Sequence, residues 1–271
     1  MCFVHDEHGL SVSKACSALR LSRTVFAYRP SPRDDMSLIT ALFELVEKYP
    51  RYGFGKYFSL LRRAGHKWNH KRILRVYRPL GLHLRRKGKR RLPTRAPVRL
   101  EAQAHVNLCW SIDFMSDCLY GGQRFRTFNV LDDCSREGLA IEVDTNLPAA
   151  RVIRVLDRIA AWRGYPAKLR LDNGPECVSV QLADWAERHG VTLEFIQPGK
   201  PTQNSYVERF NRTFREEVLN LYVFNRLSEV RDITESWLKE YNEQRPHESL
   251  GNLTPEEFAF KHTELSSFDP H

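Results

Sequence analysis

Three acidic residues in the second half of the chain, Asp113, Asp172 and Glu208, have the residue types and surroundings that suit metal-assisted chemistry. Asp113 follows strand-like residues, and Asp172 directly precedes a turn-forming Asn-Gly-Pro sequence. Glu208 lies in a long stretch of helical periodicity, with 35 residues between it and Asp172. Carboxylates at strand ends and on a nearby helix can meet at one edge of a sheet, where mutual repulsion raises their pKa values. Divalent cations relieve this repulsion, and oxygen ligands without His or Cys favour Mg²⁺ or Mn²⁺ over zinc.

The spacing of these carboxylates carries more weight than any one of them, because an aspartate at a strand end is usually a turn former. Together they could hold two Mg²⁺ or Mn²⁺ ions about 3.5–4 Å apart, an arrangement that suits in-line displacement at phosphorus. Asp113 would then bridge both ions, while Asp172 and Glu208 would each bind one. The chemistry would be the cleavage or joining of nucleic acid strands.

Hydrophobic periodicity after Val106 predicts the elements that must position these residues. Three strand-like segments come first, and the turn Gly121–Gly122 joins two of them as an antiparallel hairpin. Helical and strand-like segments then alternate. The predicted strands are CWSIDFM, FRTFNVLDD, LAIEVD, AKLRLD and VTLEFI, and the predicted helices are Ala149–Trp162, Val178–His189, Gln203–Leu219 and Ser228–Tyr241. This order predicts an α/β protein with a mixed, ribonuclease H-like sheet.

Charge divides the chain into two halves. Residues 1–105 contain 23 Lys and Arg against 7 Asp and Glu, a net charge of +16, whereas residues 106–271 have a net charge of −7. A basic front half can neutralise DNA phosphates, and an acidic back half suits metal binding. We therefore predict a helical DNA-binding region followed by a catalytic region.

The sequence pattern of the front half predicts helices followed by a basic linker. Residues 1–34 read as a helix-turn-helix-like segment, 35–83 as a helical DNA-binding region and 84–104 as the linker, ahead of a catalytic core with a helical tail at 105–262. Helices are expected at Met36–Lys48, Gly55–Ala64 and His70–Tyr77. The basic residues expected to contact DNA are Lys71, Arg72 and Arg75 on the third of these helices, and Arg85, Arg86, Lys87, Lys89, Arg90 and Arg91 in the linker. The alternative for the third helix is a solvated basic surface.

Longer motifs around the carboxylates resemble the DDE transposases and retroviral integrases. The matching segments are WSIDFMSD at 110–117, FNVLDDCSRE at 128–137, RLDNGPE at 170–176, QPGKPTQNSYVERFNRTFREE at 197–217 and YNEQRPHESLGNLTPEEF at 241–258. YPRYGFGKY at 49–57 resembles the helical DNA-binding segment of the same family. Within this superfamily the chain is most similar to the integrase-like transposases encoded by the second reading frame of bacterial insertion sequences.

The resemblance implies an integrase catalytic core in which Asp113, Asp172 and Glu208 are the metal-binding triad. It further implies cleavage at the terminal inverted repeats of an insertion sequence and transfer of the 3′ ends to target DNA. A homo-oligomer on double-stranded DNA is implied as well, and a fusion or partnership with an upstream helix-turn-helix protein stays open.

The resemblance also marks Arg215 as the basic residue on the Glu208 helix. Asn204 lies one turn before Glu208 and Arg215 close to two turns after it, so all three would share one face. Arg215, Asn204, Lys200 and Arg212 are therefore expected DNA contacts. The alternative for Arg215 is a surface ion pair with Glu208 or Glu217.

Two other classes of function remain open at this stage. A ribonuclease H-like nuclease would share the triad but would hydrolyse strands without joining them. A non-catalytic DNA-binding regulator derived from a transposase would not need the triad, so its intact spacing argues against this class.

The remaining signals are structural. Asp132 and Asp133 follow the second predicted strand, and holding the LDDCSR turn is the favoured role for Asp133 over orienting the site. The chain has six cysteines and no C-x-x-C pair, which predicts buried, reduced thiols and no zinc site. With no long apolar run and no signal-peptide pattern, we expect a cytoplasmic protein without a membrane partner.

Overall fold

The computed structural model describes residues 9–29, 34–84, 103–172, 179–197 and 204–267. Residues 1–44 and 45–271 belong to two separately compact units. The predicted DNA contacts in the linker and at Lys200 lie outside the described residues, and the domain boundaries drawn from sequence stay predictions.

Short helices form the first unit. Helix α1 spans Val12–Ala18 and α2 spans Arg23–Ala27. The Ser22 hydroxyl accepts a hydrogen bond from the Val25 N–H at 3.1 Å and so caps α2. Helix α3, Met36–Lys48, begins in this unit and buries Leu38 and Leu42.

Two helices of the second unit precede the sheet, α4 over Phe54–Arg63 and α5 over His70–Tyr77. Both agree with the sequence-based prediction to within one residue. Rings from the two helices pack edge to face, with centroids 5.0 Å apart for Phe54 and His70. Asn69 caps α5 by accepting the Lys71 N–H at 2.8 Å, so the basic helix has a defined start.

A five-stranded mixed sheet carries the catalytic region. The strands are β1 Cys109–Cys118, β2 Arg124–Asp132, β3 Gly138–Asp144, β4 Lys168–Leu171 and β5 Thr192–Phe195. Their order in the sheet is β3-β2-β1-β4-β5. The first three strands pair antiparallel, and β4 pairs parallel with both β1 and β5. The five predicted strands and the predicted hairpin are therefore confirmed.

Helices cover both faces of the sheet because each strand alternates its side chains between the faces. Helices α6, Ala149–Arg163, and α7, Val180–His189, cover one face over a buried cluster that includes Trp110 and Trp185. The other face packs against α8, Ser205–Phe214, and α9, Leu227–Glu243. Antiparallel strands, then alternating helices and strands, give the predicted α/β class.

The predicted single helix over 203–219 is wrong in its second half. Helix α8 ends at Phe214, and Arg215–Leu219 form a π-helix, closed by the Asn220 N–H donating to the Arg215 carbonyl at 2.8 Å. The wider turn lets Glu217 bond to the Trp237 indole N–H and to Arg245 while Val218 stays buried. Side chains after Phe214 therefore leave the regular helical register.

Beyond α9 the chain forms a short 3-10 helix, Glu248–Leu250, and α10, Pro255–Ser267. Helices α8 and α9 approach the sheet closely at Gly138. A Cβ atom on Gly138 would lie 2.5 Å from Leu238 and 2.9 Å from Phe210, so this position of β3 requires glycine for the helices to approach.

The cysteine prediction needs one correction. Cys16, Cys109 and Cys134 are buried free thiols, but Cys118 is exposed because it ends β1 next to the hairpin turn. In the described ranges, no helix is both long and apolar enough to cross a membrane.

Candidate active site

Asp113 lies half-buried in the middle of β1, and not at the strand end that the sequence predicted. The backbone and a neighbouring helix fix its carboxylate. The Phe114 N–H donates to Asp113 Oδ1 at 2.8 Å, and Asn211 Nδ2 on α8 donates to Oδ2 at 2.7 Å. Each oxygen therefore has one donor. Lone pairs remain on both oxygens for a cation.

Sheet register brings Asp172 to the same edge as Asp113. Strands β1 and β4 run parallel, with Ser111 directly opposite Arg170. Asp113 and Asp172 follow these two residues by two positions, so they occupy neighbouring positions on the same face. Glu208 lies in the first turn of α8, on the helix that also supplies Asn211, and is exposed.

The three carboxylates influence one another electrostatically. Burial, and then the negative charges of Asp172 and Glu208, raise the pKa of Asp113 from 3.8 to about 6, against the lowering effect of its hydrogen bonds. This is the coupling expected of acids gathered at one edge. Burial is the largest cause of the raised Asp113 pKa.

The residues fit a divalent cation by donor type. All three offer oxygen, and a cation would remove the repulsion that raises the Asp113 pKa. Among the described residues, however, no three such groups stand close enough to form a complete metal site. The three carboxylates therefore lie near one another but do not form a complete set of metal ligands. Residues 173–178, which follow Asp172, lie outside the described residues.

Comparison with known proteins shows the family of the chain. Models of an integrase core domain match residues 103–201 and 189–255, and a model of an HTH-like domain matches residues 32–90. An insertion element IS407 protein of 31.7 kDa from Burkholderia multivorans is 42% identical over 97% of this chain and 95% of its own length. An insertion element IS476 protein from Xanthomonas euvesicatoria is 39% identical, over 92% of this chain and 72% of its own length.

The chain belongs to the integrase-core family of insertion-element transposases. The transposase InsD of insertion element IS2 from Escherichia coli is 26% identical over 92% of this chain and 88% of its own length. Among solved structures, the HTLV-2 integrase catalytic core in complex with magnesium is 14% identical. The match has a TM-score of 0.44 and covers 58% of this chain and 98% of that one. The predicted family and the α/β integrase core are confirmed, and so is a helix-turn-helix-like front region, which the domain model matches at residues 32–90.

A buried amide pair behind Asp113 was missed by sequence reasoning. Asn129 lies directly opposite Asp113 on β2, and its Nδ2 donates to Asn211 Oδ1 at 2.6 Å. Asn211 in turn donates to Asp113, so the two amides form a relay that orients the carboxylate. The only sequence signal was the i, i+3 spacing of Glu208 and Asn211, which places both near the same side of a helix.

Asp133 joins the two strands that carry the aspartates of the transposase. It accepts the Ser111 hydroxyl at 2.5 Å and forms a buried ion pair with Arg170. Those residues are partners across β1 and β4. The turn itself is held by Asp132, which accepts the backbone N–H groups of Cys134 and Ser135 at 2.8 and 2.9 Å. Asp133 therefore has the structural role that the sequence favoured, but it joins β1 to β4 instead of bonding the turn.

The predicted DNA-contact residues of this region have different surroundings. Asn204 is 3% exposed, and its amide donates to the Ile112 carbonyl at 3.3 Å, so it holds the start of α8 to β1 instead of facing DNA. Arg212 is exposed on α8. Arg215 is ion-paired with Asp117 at 3.1 Å, and not with Glu208 or Glu217 as the alternative supposed. The π-helix at Arg215 explains the difference.

Helix α5 presents its basic residues as the sequence predicted. Ile73, Val76 and Tyr77 form its buried side. Lys71 and Arg75 are exposed, and Arg72 is half-buried. A helix with a buried apolar side and an outward basic side can follow a DNA groove or backbone.

Replacing Asp113 by Asn tests the electrostatic cost at this site. Because the folded-state pKa of Asp113 is raised, the free energy of unfolding falls when this carboxyl ionises in the folded protein. The stability is fully present below the unfolded-state pKa of 3.8 and is lost as pH rises to the folded-state pKa of about 6. Without metal at pH 7, Asp113→Asn should therefore be more stable than wild type by about 1–2 kcal/mol. The amides of Asn129 and Asn211 can flip to match the new side chain, since Asn129 Oδ1 has no hydrogen-bond partner among the described residues.

Urea unfolding in EDTA at pH 4 and pH 7 checks this expectation. The advantage of the variant should appear at pH 7 and vanish at pH 4. A variant less stable than wild type at pH 7 would mean that the Asp113 carboxylate is not strained.

Proposed function

We propose that this transposase cleaves DNA at the terminal inverted repeats of its insertion sequence and joins the 3′ ends to target DNA. We further propose that Asp113, Asp172 and Glu208 are its catalytic, metal-binding residues. The observation that carries the proposal is the parallel β1–β4 register, which gives Asp113 and Asp172 neighbouring positions at one sheet edge, together with the Asn211 bond that joins the Glu208 helix to Asp113.

The proposed ligand arrangement follows from the strands and helix that hold the acids. Asp113, Asp172 and Glu208 would together hold two Mg²⁺ or Mn²⁺ ions. Such ions, when bound, activate the attacking oxygen and stabilise the leaving oxygen of a phosphodiester. Asn211 and Asn129 keep Asp113 oriented, and the exposed first turn of α8 leaves Glu208 open to a DNA strand.

Basic residues of the front half are the proposed contacts to duplex DNA. Lys71, Arg72 and Arg75 on α5 and the basic run at 85–91 would bind phosphates, with Arg212 nearer the carboxylates. We also propose that the enzyme acts as a homo-oligomer on DNA, since two element ends must be processed together.

The test is a joining assay with the full chain, labelled terminal-repeat DNA, a plasmid target and Mg²⁺ or Mn²⁺. Labelled DNA covalently joined to the plasmid, and absent in EDTA, would support the proposal. Cleavage without joining would support a nuclease instead, and binding without either reaction would support a regulator.

Arg215→Ala should weaken binding to terminal-repeat DNA several-fold if its guanidinium contacts a phosphate in addition to Asp117. The matched control is Asp117→Asn, which breaks the same ion pair at 3.1 Å but keeps the arginine. Anisotropy titrations should show weaker binding only for Arg215→Ala. Equal behaviour of the two variants would assign Arg215 to the ion pair alone.

A further inference from the structure

Two sequence motifs outside the triad pack against each other in the second unit. The Tyr49 hydroxyl donates to Glu240 Oε1 at 2.7 Å. The Arg245 guanidinium lies 5.0 Å from the ring centroid of Tyr52. The residues before α4 are therefore joined to the end of α9 within the second unit.

Four basic residues converge on this junction, and we name them the seam cluster: Lys56, Arg136, Arg209 and Arg245. Lys56 Nζ lies 4.4 Å from the centroid of the same Tyr52 ring that Arg245 faces. The Arg136 guanidinium lies 3.3 Å from the Tyr206 ring, one turn before Arg209 on α8. Arg209 is exposed and directly follows Glu208.

Carboxylates balance the positive charge of this group only in part. Arg245 forms a buried ion pair with Glu217. For the other three members, no ion pair exists with any residue that the structure describes. The neighbouring His247 reports the excess of positive charge. Its pKa is lowered to about 3, first by burial and then by all four members of the seam cluster.

Within the seam cluster, Lys56 is the residue whose charged form is disfavoured by its surroundings. It is half-buried, and its pKa is lowered to about 7, first by burial and then by the charge of Arg245. Arg209 acts in the same direction, while Glu216 and Glu217 act in the opposite one. An ammonium group held out of water among like charges is unfavourable unless an anion joins it.

We propose that the seam cluster binds a phosphate of the DNA backbone, with Arg209 and Lys56 contacting the phosphate and Arg136 and Arg245 adding positive charge behind them. The proposal rests on the proposed function, because the phosphate belongs to the DNA that is cleaved at Glu208. Backbone phosphates recur about every 3.4 Å along each strand, so a strand at Glu208 has others within reach of Arg209. Bound DNA would then contact α4 and α8 together.

Salt dependence of DNA binding by the full chain tests the phosphate contact. Lys56→Gln and Arg209→Gln should each bind terminal-repeat DNA several-fold more weakly, and the slope of log affinity against log salt should fall by about one. The control is Lys239→Gln, which removes an exposed positive charge on α9 and should keep the wild-type slope. Wild-type affinity and slope in a folded Arg209→Gln protein would overturn the proposal.

A second measurement uses the ionisation of Lys56. The groups that face it are Tyr52, Arg209, Glu216, Glu217, Arg245 and, nearby, His247. A phosphate binds the protonated form of Lys56, and this form becomes scarce in the free protein as pH rises above about 7. Wild-type affinity should therefore fall several-fold between pH 7 and pH 9. Lys56→Arg, always charged, should lose less affinity over the same range. Identical pH dependence in both proteins would count against a phosphate at Lys56.

The joining assay separates failure of this proposal from failure of the proposed function. If wild type joins DNA while the seam variants bind it normally, only the seam proposal fails. If wild type binds DNA but neither cleaves nor joins it, the proposed function fails, whatever the seam variants show.

Discussion

Glu208→Gln is expected to abolish both cleavage and joining of terminal-repeat DNA while leaving DNA binding intact. The substitution keeps nearly the full side-chain volume but removes the charge of a proposed metal ligand. Because Glu208 is exposed in the first turn of α8, the fold should tolerate the change. Phosphate contacts lie elsewhere, so affinity for DNA should stay within about twofold of wild type.

The control is Glu235→Gln, which neutralises an exposed glutamate on α9. It should cleave and join at the wild-type rate. A surface role for Glu208 predicts the same retained activity, with at most about 1 kcal/mol of lost stability. Folded Glu208→Gln protein that joins DNA normally would therefore remove Glu208 from the catalytic set.

The largest loss of stability is expected for Asp133→Asn. Asp133 and Arg170 are both buried, with side-chain exposures of 0% and 5%. Removing one charge leaves the other without its buried partner, which typically costs about 3–5 kcal/mol. Glu194, 3.3 Å from Arg170 and 45% exposed, can compensate only in part.

Urea unfolding of the Asp133→Asn and Glu257→Gln variants compares the loss of a buried ion pair with the loss of an exposed one. Glu257 also pairs with an arginine, Arg63, but their side chains are 40% and 36% exposed. The Glu257 variant should lose at most about 1 kcal/mol. Equal losses in the two variants would mean that Asp133 does not hold β1 and β4 together as described.

Strand and helix positions could be predicted because they depend on local periodicity. The alternation in β1 and β2 and the apolar side of α6 repeat over several residues, and the structure has these elements close to their predicted bounds. The π-helix could not be predicted this way. It depends on Glu217 meeting Arg245, which lies 28 residues further along the chain.

Within the site, charge and spacing pointed to the acids but not to what orients them. Asn129 and Asn211 are 82 residues apart, and only folding brings their amides together beside Asp113. A neutral side chain carries no signal of such a role in sequence. For Asp133, the local turn was the simpler reading, since Arg170 reaches it from 37 residues away.

The most direct test of the account is a crystal structure of the full chain with terminal-repeat DNA and Mn²⁺, measured at the manganese absorption edge. We expect anomalous density between Asp113 and Asp172 and between Asp113 and Glu208. A DNA complex with no manganese at these carboxylates, or with manganese bound only elsewhere, would contradict the proposed catalytic site.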